Sequence, residues 1–426
     1  MYDKLVEIVS KGFQGTPDHR KGATKYSLHD CSMSAFAMFA LKDPSLLSFM
    51  DNFACRKENL EQVFKINKVP SSNGLRKILD PVDPTHLLPI FKTVFDYLSE
   101  EKILRNRRYM NNHSLVSVDG TGSYSSNEIG CSHCLIKHRK NGTIEYHHQL
   151  LAASLVTPDV KTVFPVYGEA ITRQDGSTKN DCERNACKRL LPHIRSILPD
   201  EKILILLDAL YADGPTIKAL QAKEMNMDYI IVIKEGYVLE QVKQLKKKGK
   251  LKELKWEKNK DISCKIQWVS KLILNGANQD VIVNYLEYEE VDSKTGATKY
   301  YNKWITNLKL TKVNVKRVVK AGRARWKIEN ETFNTLKNQD YNLEHNYGHG
   351  QWHLATIFAL IMLLAFFVDQ ITRAKDAAFK QALKEANTLR DLRQKVRVLF
   401  DFIPTISMNL IYQIIAREIN IRPQLE

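Results

Sequence analysis

Residues 114–120, SLVSVDG, mark the point where this chain changes texture, an alternating apolar run that ends on Asp119 and Gly120. A period of two makes the run a strand, with Val116 and Val118 on one face and Ser117 and Asp119 on the other. A hairpin follows at Asn141-Gly142, and YHHQLLAASLVT and KTVFPVYGEAI read as two further strands. Next come a helix over about 181–198, the all-apolar strand ILILLD (203–208), a helix opened by Asp213-Gly214-Pro215, and the strand YIIVIK (229–234).

Three meandering strands followed by alternating helices and strands predict an α/β fold, a mixed sheet with flanking helices organised as an RNase H-like core. Outward from it, residues 1–110 read as a helical module, with apolar spacing in SAFAMFALKDPSLLSFM and THLLPIFKTVFDYLSEEKIL. Arg105, Arg107 and Arg108 close that module, either along phosphates or solvated. The first part of the core takes 111–236, and a lysine-rich, alternating block at 237–310 reads as a β-rich insertion. Residues 311–370 return to the core with a helix at 313–338 and an apolar helix at 352–369, and 371–426 form a basic helical C-terminal region suited to DNA contact or dimerisation.

The 426 residues carry 64 Lys and Arg against 48 Asp and Glu, a formal charge of +16, which points to a polyanionic partner, nucleic acid first. The apolar run Leu354–Val368 is short for a spanning helix and reads as buried core, so no membrane partner is expected. Seven cysteines lack the even spacing of a disulfide framework and the N-terminus lacks a signal-peptide pattern, which together predict a reducing, cytoplasmic setting.

Chemistry is concentrated in three carboxylates. In RWKIENE (325–331), a regular helix places Glu329 with Trp326, Phe333 and Leu336 on an apolar face and Glu331 on the opposite, solvated side. A charge on such a face needs compensation. Asp119 and Asp208 each end a predicted core strand, where ligand sites of such sheets lie, although a lone strand-end aspartate is more often a turn or cap residue. Converging on one point, the three suit Mg²⁺ or Mn²⁺, two ions about 3.5–4 Å apart for in-line phosphodiester displacement.

These residues, VSVDGTG around Asp119, LLDALYAD around Asp208 and RARWKIENETFNTLK around Glu329, resemble the DDE-type transposases of bacterial insertion sequences over roughly residues 114–365. The resemblance implies an RNase H-like fold, often with a β-rich insertion before the glutamate, and a metal-binding triad of Asp119, Asp208 and Glu329. It also implies DNA contacts by Arg325, by a lysine for which Lys337 is the nearest candidate, and by Trp304, matching a tryptophan that some relatives stack on a flipped base. Packing as core is the alternative for Trp304. Gly322 stands where the family has a tyrosine, and Lys337 is displaced by one position.

Cys131-x-x-Cys134 has the spacing of a zinc knuckle, and His138, or the His147-His148 pair after the hairpin turn, completes a structural Zn²⁺ site, here taken as Cys131, Cys134, His138 and His147; buried cysteines and strand histidines are the alternative. The loop holding His345 and His349 reads as a polar cap for the next helix rather than a DNA contact. The function expected is that of a transposase, a homodimer on double-stranded DNA that cleaves transposon ends and joins them to target DNA. The rivals are a metal-dependent nuclease without strand transfer and a non-catalytic DNA-binding descendant.

Overall fold

The computed structural model describes residues 1–419, with 179–181 described by backbone alone. The change of texture at residue 114 is the start of a long strand, β1 (His113–Ser126). A loop and the short β2 (Leu135–His138) lead through the Asn141-Gly142 turn into β3 (Ile144–Val156), then β4 (Phe164–Ile171). Helix Lys179–Ile197 precedes β5 (Lys202–Leu207), and helix Gly214–Gln221, capped by Asp213, precedes β6 (Asp228–Val232). β3 is antiparallel to β1 and to β4, whereas β5 runs parallel to both β1 and β6. The resulting order β4-β3-β1-β5-β6, with its second strand reversed, is the RNase H-like arrangement expected from the strand pattern.

Both faces of this core are covered, which is why β5 is a continuous apolar run rather than an alternating one. Ile203, Leu204, Ile205, Leu206 and Leu207 are all fully buried. On one face, Ser117 and Ser154 lie opposite each other in register and both reach the helical segment that carries Glu329, Ser117 Oγ donating to the Arg325 carbonyl at 2.9 Å and Ser154 Oγ bonding Thr332 Oγ1 at 3.1 Å. Gly120 has its missing side chain directed at the Glu183 carboxylate of helix Lys179–Ile197, on the other face.

The lysine-rich block folds as helix Tyr237–Lys247 followed by an antiparallel meander of β7 (Lys252–Asn259), β8 (Ile262–Asn275), β9 (Asn278–Asp292) and β10 (Thr298–Thr306). Its last strand returns to pair with β6, Trp304 opposite Val232, so that the insertion extends the core into one ten-stranded sheet. This covers the β6 edge that would otherwise expose unpaired backbone groups. Two buried carboxylates inside the meander are charge-paired: Glu287 with Lys246 at 2.8 Å, and Glu290 with Lys258 at 3.1 Å and with Arg323.

The N-terminal and C-terminal helices interlock around helix Leu354–Lys375. That helix is long and apolar enough to cross a bilayer, yet 89% of its most apolar window is buried in protein. Asn59 donates to the carbonyls of Phe400 and Ile403 at 2.7 and 2.9 Å, Asp3 accepts from the amides of Met408 and Asn409, and the buried Arg56 pairs with both Asp43 and Asp401. The arginines at the end of the N-terminal helices divide. Arg107 is buried, bonding the Thr162 carbonyl and stacking 4.4 Å over Phe164, and Arg108 makes a two-pronged pair with Glu201, leaving Arg105 exposed to solvent.

Candidate active site

Asp119 sits on β1 and Asp208 one residue past β5. The parallel register sets Ser117 beside Leu206, so two residues further along the same direction Asp119 stands beside Asp208. Neighbouring strands are about 4.8 Å apart, which brings the two residues side by side at the carboxyl end of β5. Asp208 also caps the short turn after its strand, its Oδ1 accepting from the Leu210 amide at 2.9 Å.

Glu329 arrives from the helical segment over β1. This segment is not the regular helix that the spacing predicts. Helix Val315–Arg323 passes into a 3₁₀ turn (Ala324–Trp326), a π-helical stretch (Ile328–Phe333) and a final α-turn (Asn334–Asn338). The wide π-turn alters the face: Phe333 and Leu336 are buried as expected, joined by Ala324, Arg325, Ile328, Thr332 and Thr335, while Trp326 is 49% exposed and Glu329 lies at the border with its side chain 35% exposed. Trp326 therefore does not share a buried face with Glu329, because the extra residue in the turn rotates the positions around it. Glu331 lines a separate groove with Lys316, Trp326 and Lys327.

Arg325 holds the centre together. It is 8% exposed, its Nη1 lies 3.0 Å from Asp119 and its Nη2 lies 2.9 Å from Glu329. Burial, reinforced by the Glu329 carboxyl within hydrogen-bonding reach, pushes Asp119 up to about 6 against the pull of Arg325. Burial raises Asp208 as well, and the Asp119 charge adds to it, opposed by the Leu210 amide, Arg325 and Lys234. Two carboxylates on one guanidinium, with the Asp208 charge acting on the neighbourhood of Asp119 from the next strand, leave an excess of negative charge, and all-oxygen donors of this kind suit a hard divalent cation.

A family described as the transposase DDE domain matches residues 115–367, more than half of the chain. The chain belongs to the DDE transposase family. The matched region contains Asp119, Asp208 and Glu329 and the whole meander between the last two. No curated protein is significantly similar to the full sequence. Among solved structures, the piggyBac transposase synaptic complex with hairpin DNA aligns over 98% of this chain and 80% of that chain at 10% identity, with a TM-score of 0.41.

The residues expected to contact DNA were Arg325, Lys337 and Trp304. Arg325 is buried and turned inward to Asp119 and Glu329. Lys337 pairs with Glu344 at 2.7 Å. Trp304 is core, 1% exposed, and cannot present a face to an extruded base as placed. Its indole also accounts for the departure at position 322: a Cβ on Gly322 would lie 2.9 Å from Trp304 Cε2 and Nε1, leaving no room for a tyrosine.

The cysteine-histidine expectation is corrected in its histidines. Cys131 and Cys134 do lie together, with Sγ atoms 3.7 Å apart, but the groups around them are His148 and His349, and the four potential ligand atoms lie within 4.8 Å of one another. This cluster could hold a metal ion. His138 is exposed at the end of β2, and His147 faces away from His148, lining a groove with Lys137 and Gln149. Adjacent strand residues point to opposite faces, so only one of the pair can join the cysteines. His349 was missed because the loop carrying it is 201 residues from His148.

Proposed function

We propose that this protein catalyses DNA cleavage at transposon ends and strand transfer into target DNA, using Asp119, Asp208 and Glu329 as metal ligands. The observation that supports the reading is Arg325 bridging Asp119 on β1 and Glu329 on the helical segment, with Asp208 just past the end of β5, the parallel neighbour of β1. Bound there, Mg²⁺ or Mn²⁺ would activate the attacking water or 3′-hydroxyl and offset charge on the leaving oxygen.

The chain's own residues supply positioning and charge. Asp119, Asp208 and Glu329 offer oxygen donors, and Arg325 fixes Asp119 against Glu329 through two charge-assisted hydrogen bonds. Ser117 anchors the Arg325 backbone, so the glutamate-bearing segment is tied to the strand that bears the first aspartate. The DNA itself is held by the basic surface, to which the exposed Lys243, Lys247, Lys248 and Lys250 contribute. On this reading the helical residues 1–110 recognise the terminal repeats, the C-terminal helices serve dimerisation, and a homodimer engages both ends.

The test is integration of labelled, pre-cut ends into a supercoiled plasmid with Mg²⁺ or Mn²⁺. Joined products are expected, with Asp119→Ala, Asp208→Ala and Glu329→Gln reduced by about a hundredfold or more. Cleavage without joining would make the protein a nuclease, binding without either would make it a non-catalytic DNA-binding descendant, and full activity in Glu329→Gln would remove the triad.

A further inference from the structure

About one-third of the way along the chain, the loop between β1 and β2 makes a tight knuckle. The Cys134 amide donates to the Cys131 carbonyl at 3.3 Å, and the Cys131 amide points at Cys134 Sγ at 3.4 Å. His148 Nε2 on β3 lies 3.6 Å from Cys131 Sγ and 3.4 Å from Cys134 Sγ. His349 Nε2, from the loop after the Glu329 segment, lies 3.2 Å from Cys134 Sγ and 3.1 Å from His148 Nε2.

Five of these separations match edges of a coordination tetrahedron, and the sixth, Cys131 Sγ to His349 Nε2, is at most 4.8 Å. With metal–sulfur bonds near 2.3 Å and metal–nitrogen bonds near 2.0–2.1 Å, zinc ligands sit about 3.8 Å apart for S···S, about 3.6 Å for S···N and about 3.3 Å for N···N. Against these, the 3.7 Å sulfur pair, the 3.6, 3.4 and 3.2 Å sulfur–nitrogen pairs and the 3.1 Å nitrogen pair each fall within a few tenths of an ångström. His349 is also set in the required tautomer. Its Nδ1–H donates to the Gly350 carbonyl at 2.7 Å, which turns the Nε2 lone pair toward the sulfurs. Tyr124 covers both imidazoles, its ring 5.8 Å from that of His148 and 4.7 Å from that of His349, and Cys134, His148 and His349 are all buried.

We infer that Cys131, Cys134, His148 and His349 bind a structural Zn²⁺ ion that staples the loop after β1 and the strand β3 to the loop after the Glu329 segment. Four protein ligands leave no position for substrate, and two soft thiolates with two imidazoles select zinc over the hard cations suited to the carboxylate site. Binding releases the two thiol protons to solvent as the sulfurs take up the metal. The consequence is architectural. β1 carries Asp119, the segment before the His349 loop carries Glu329, and the zinc joins the downstream ends of both. The same loop is held from the other side by Asp80, whose carboxylate accepts from the amides of Gln351, Trp352, His353 and Leu354. Zinc and Asp80 together link the helical N-terminal region to the catalytic core, and this inference stands whether or not the carboxylates are catalytic.

Elemental analysis of the full chain, purified without chelator, should find about one zinc per chain, falling below about a tenth in His349→Ala and Cys134→Ser and staying near one in His138→Ala and His147→Ala. Cobalt replacement in the wild-type protein guards against variants that fail to fold: the intense visible bands of tetrahedral Co²⁺ with two thiolates are expected. Wild-type protein that holds no zinc even after incubation with the ion, His349→Ala that keeps a full complement, or an octahedral cobalt spectrum would each overturn the inference.

Discussion

Gly322→Ala offers a test of how the meander is locked to the helix leading into the Glu329 segment. Gly322 is the penultimate residue of helix Val315–Arg323, and a methyl group there would stand 2.9 Å from Cε2 and Nε1 and 3.3 Å from Cδ1 of the buried Trp304 indole. Ordinary carbon contacts lie near 3.5–4.0 Å, so the indole or the helix must yield by roughly half an ångström or more. The indole is rigid and enclosed, which puts the overpacking cost at about 1–3 kcal/mol. Replacing glycine by alanine in a helix contributes about 1 kcal/mol in the opposite direction. The single variant should therefore range from neutral to about 2 kcal/mol less stable, a weak test alone. In a Trp304→Leu background the clash is gone and the methyl partly refills the cavity, so the same change should stabilise by about 1 kcal/mol or more. Urea unfolding of wild type, both single variants and the double variant, at constant m, yields a coupling of about 1–3 kcal/mol. Additivity within about 0.5 kcal/mol would refute the argument that Trp304 is core packed against position 322.

Three further outcomes follow from the geometry. Burial alone would raise Glu201, but hydrogen bonds from Arg108 and Ser114 hold it below the usual carboxylate range. Its stabilisation is present above the unfolded value of about 4.3 and lost as pH falls through the lower folded value, so acid melting curves should show a shallower loss in Glu201→Gln than in wild type. Equal slopes would discount that pair. Asp80→Ala strips a carboxylate from four backbone amides at the start of helix Leu354–Lys375 and should cost about 2 kcal/mol in chemical denaturation, whereas Asp80→Asn should recover part of it. Asp119, raised to about 6, must lose its proton to bind a cation, so Mn²⁺ affinity measured by calorimetry should drop steeply below that pH in wild type, and a flat profile would contradict the assignment.

Most of the sheet was legible because alternation in SLVSVDG and an all-apolar run in ILILLD each leave a plain mark in sequence; they became β1 and its parallel neighbour β5. The register that joins Asp119 to Asp208 is not written in either strand: Asp208 lies just past the end of β5, whereas Asp119 lies midway along β1, which runs on to Ser126. The helix carrying Glu329 was legible only in part, since its π-turn breaks the 3.6-residue spacing on which the face was predicted, exposing Trp326 and burying Thr332. Long-range partners left no local signal. Arg107 and Arg108 looked like a basic surface joint until Thr162 and Glu201 met them, and His349 looked like a loop residue until it met His148 across 201 positions. Trp304 and Gly322 are each uninformative alone and mutually explanatory in space.

The central claim is that Asp119, Asp208 and Glu329 hold divalent metal at the carboxyl end of β5. The most direct measurement is a crystal structure of the protein grown or soaked with Mn²⁺, with anomalous difference density recorded at the manganese edge. The account predicts density shared by the carboxylates of Asp119, Asp208 and Glu329, and none at Glu331. Density at Glu331, or an ordered site holding no manganese at saturating concentration, would contradict it.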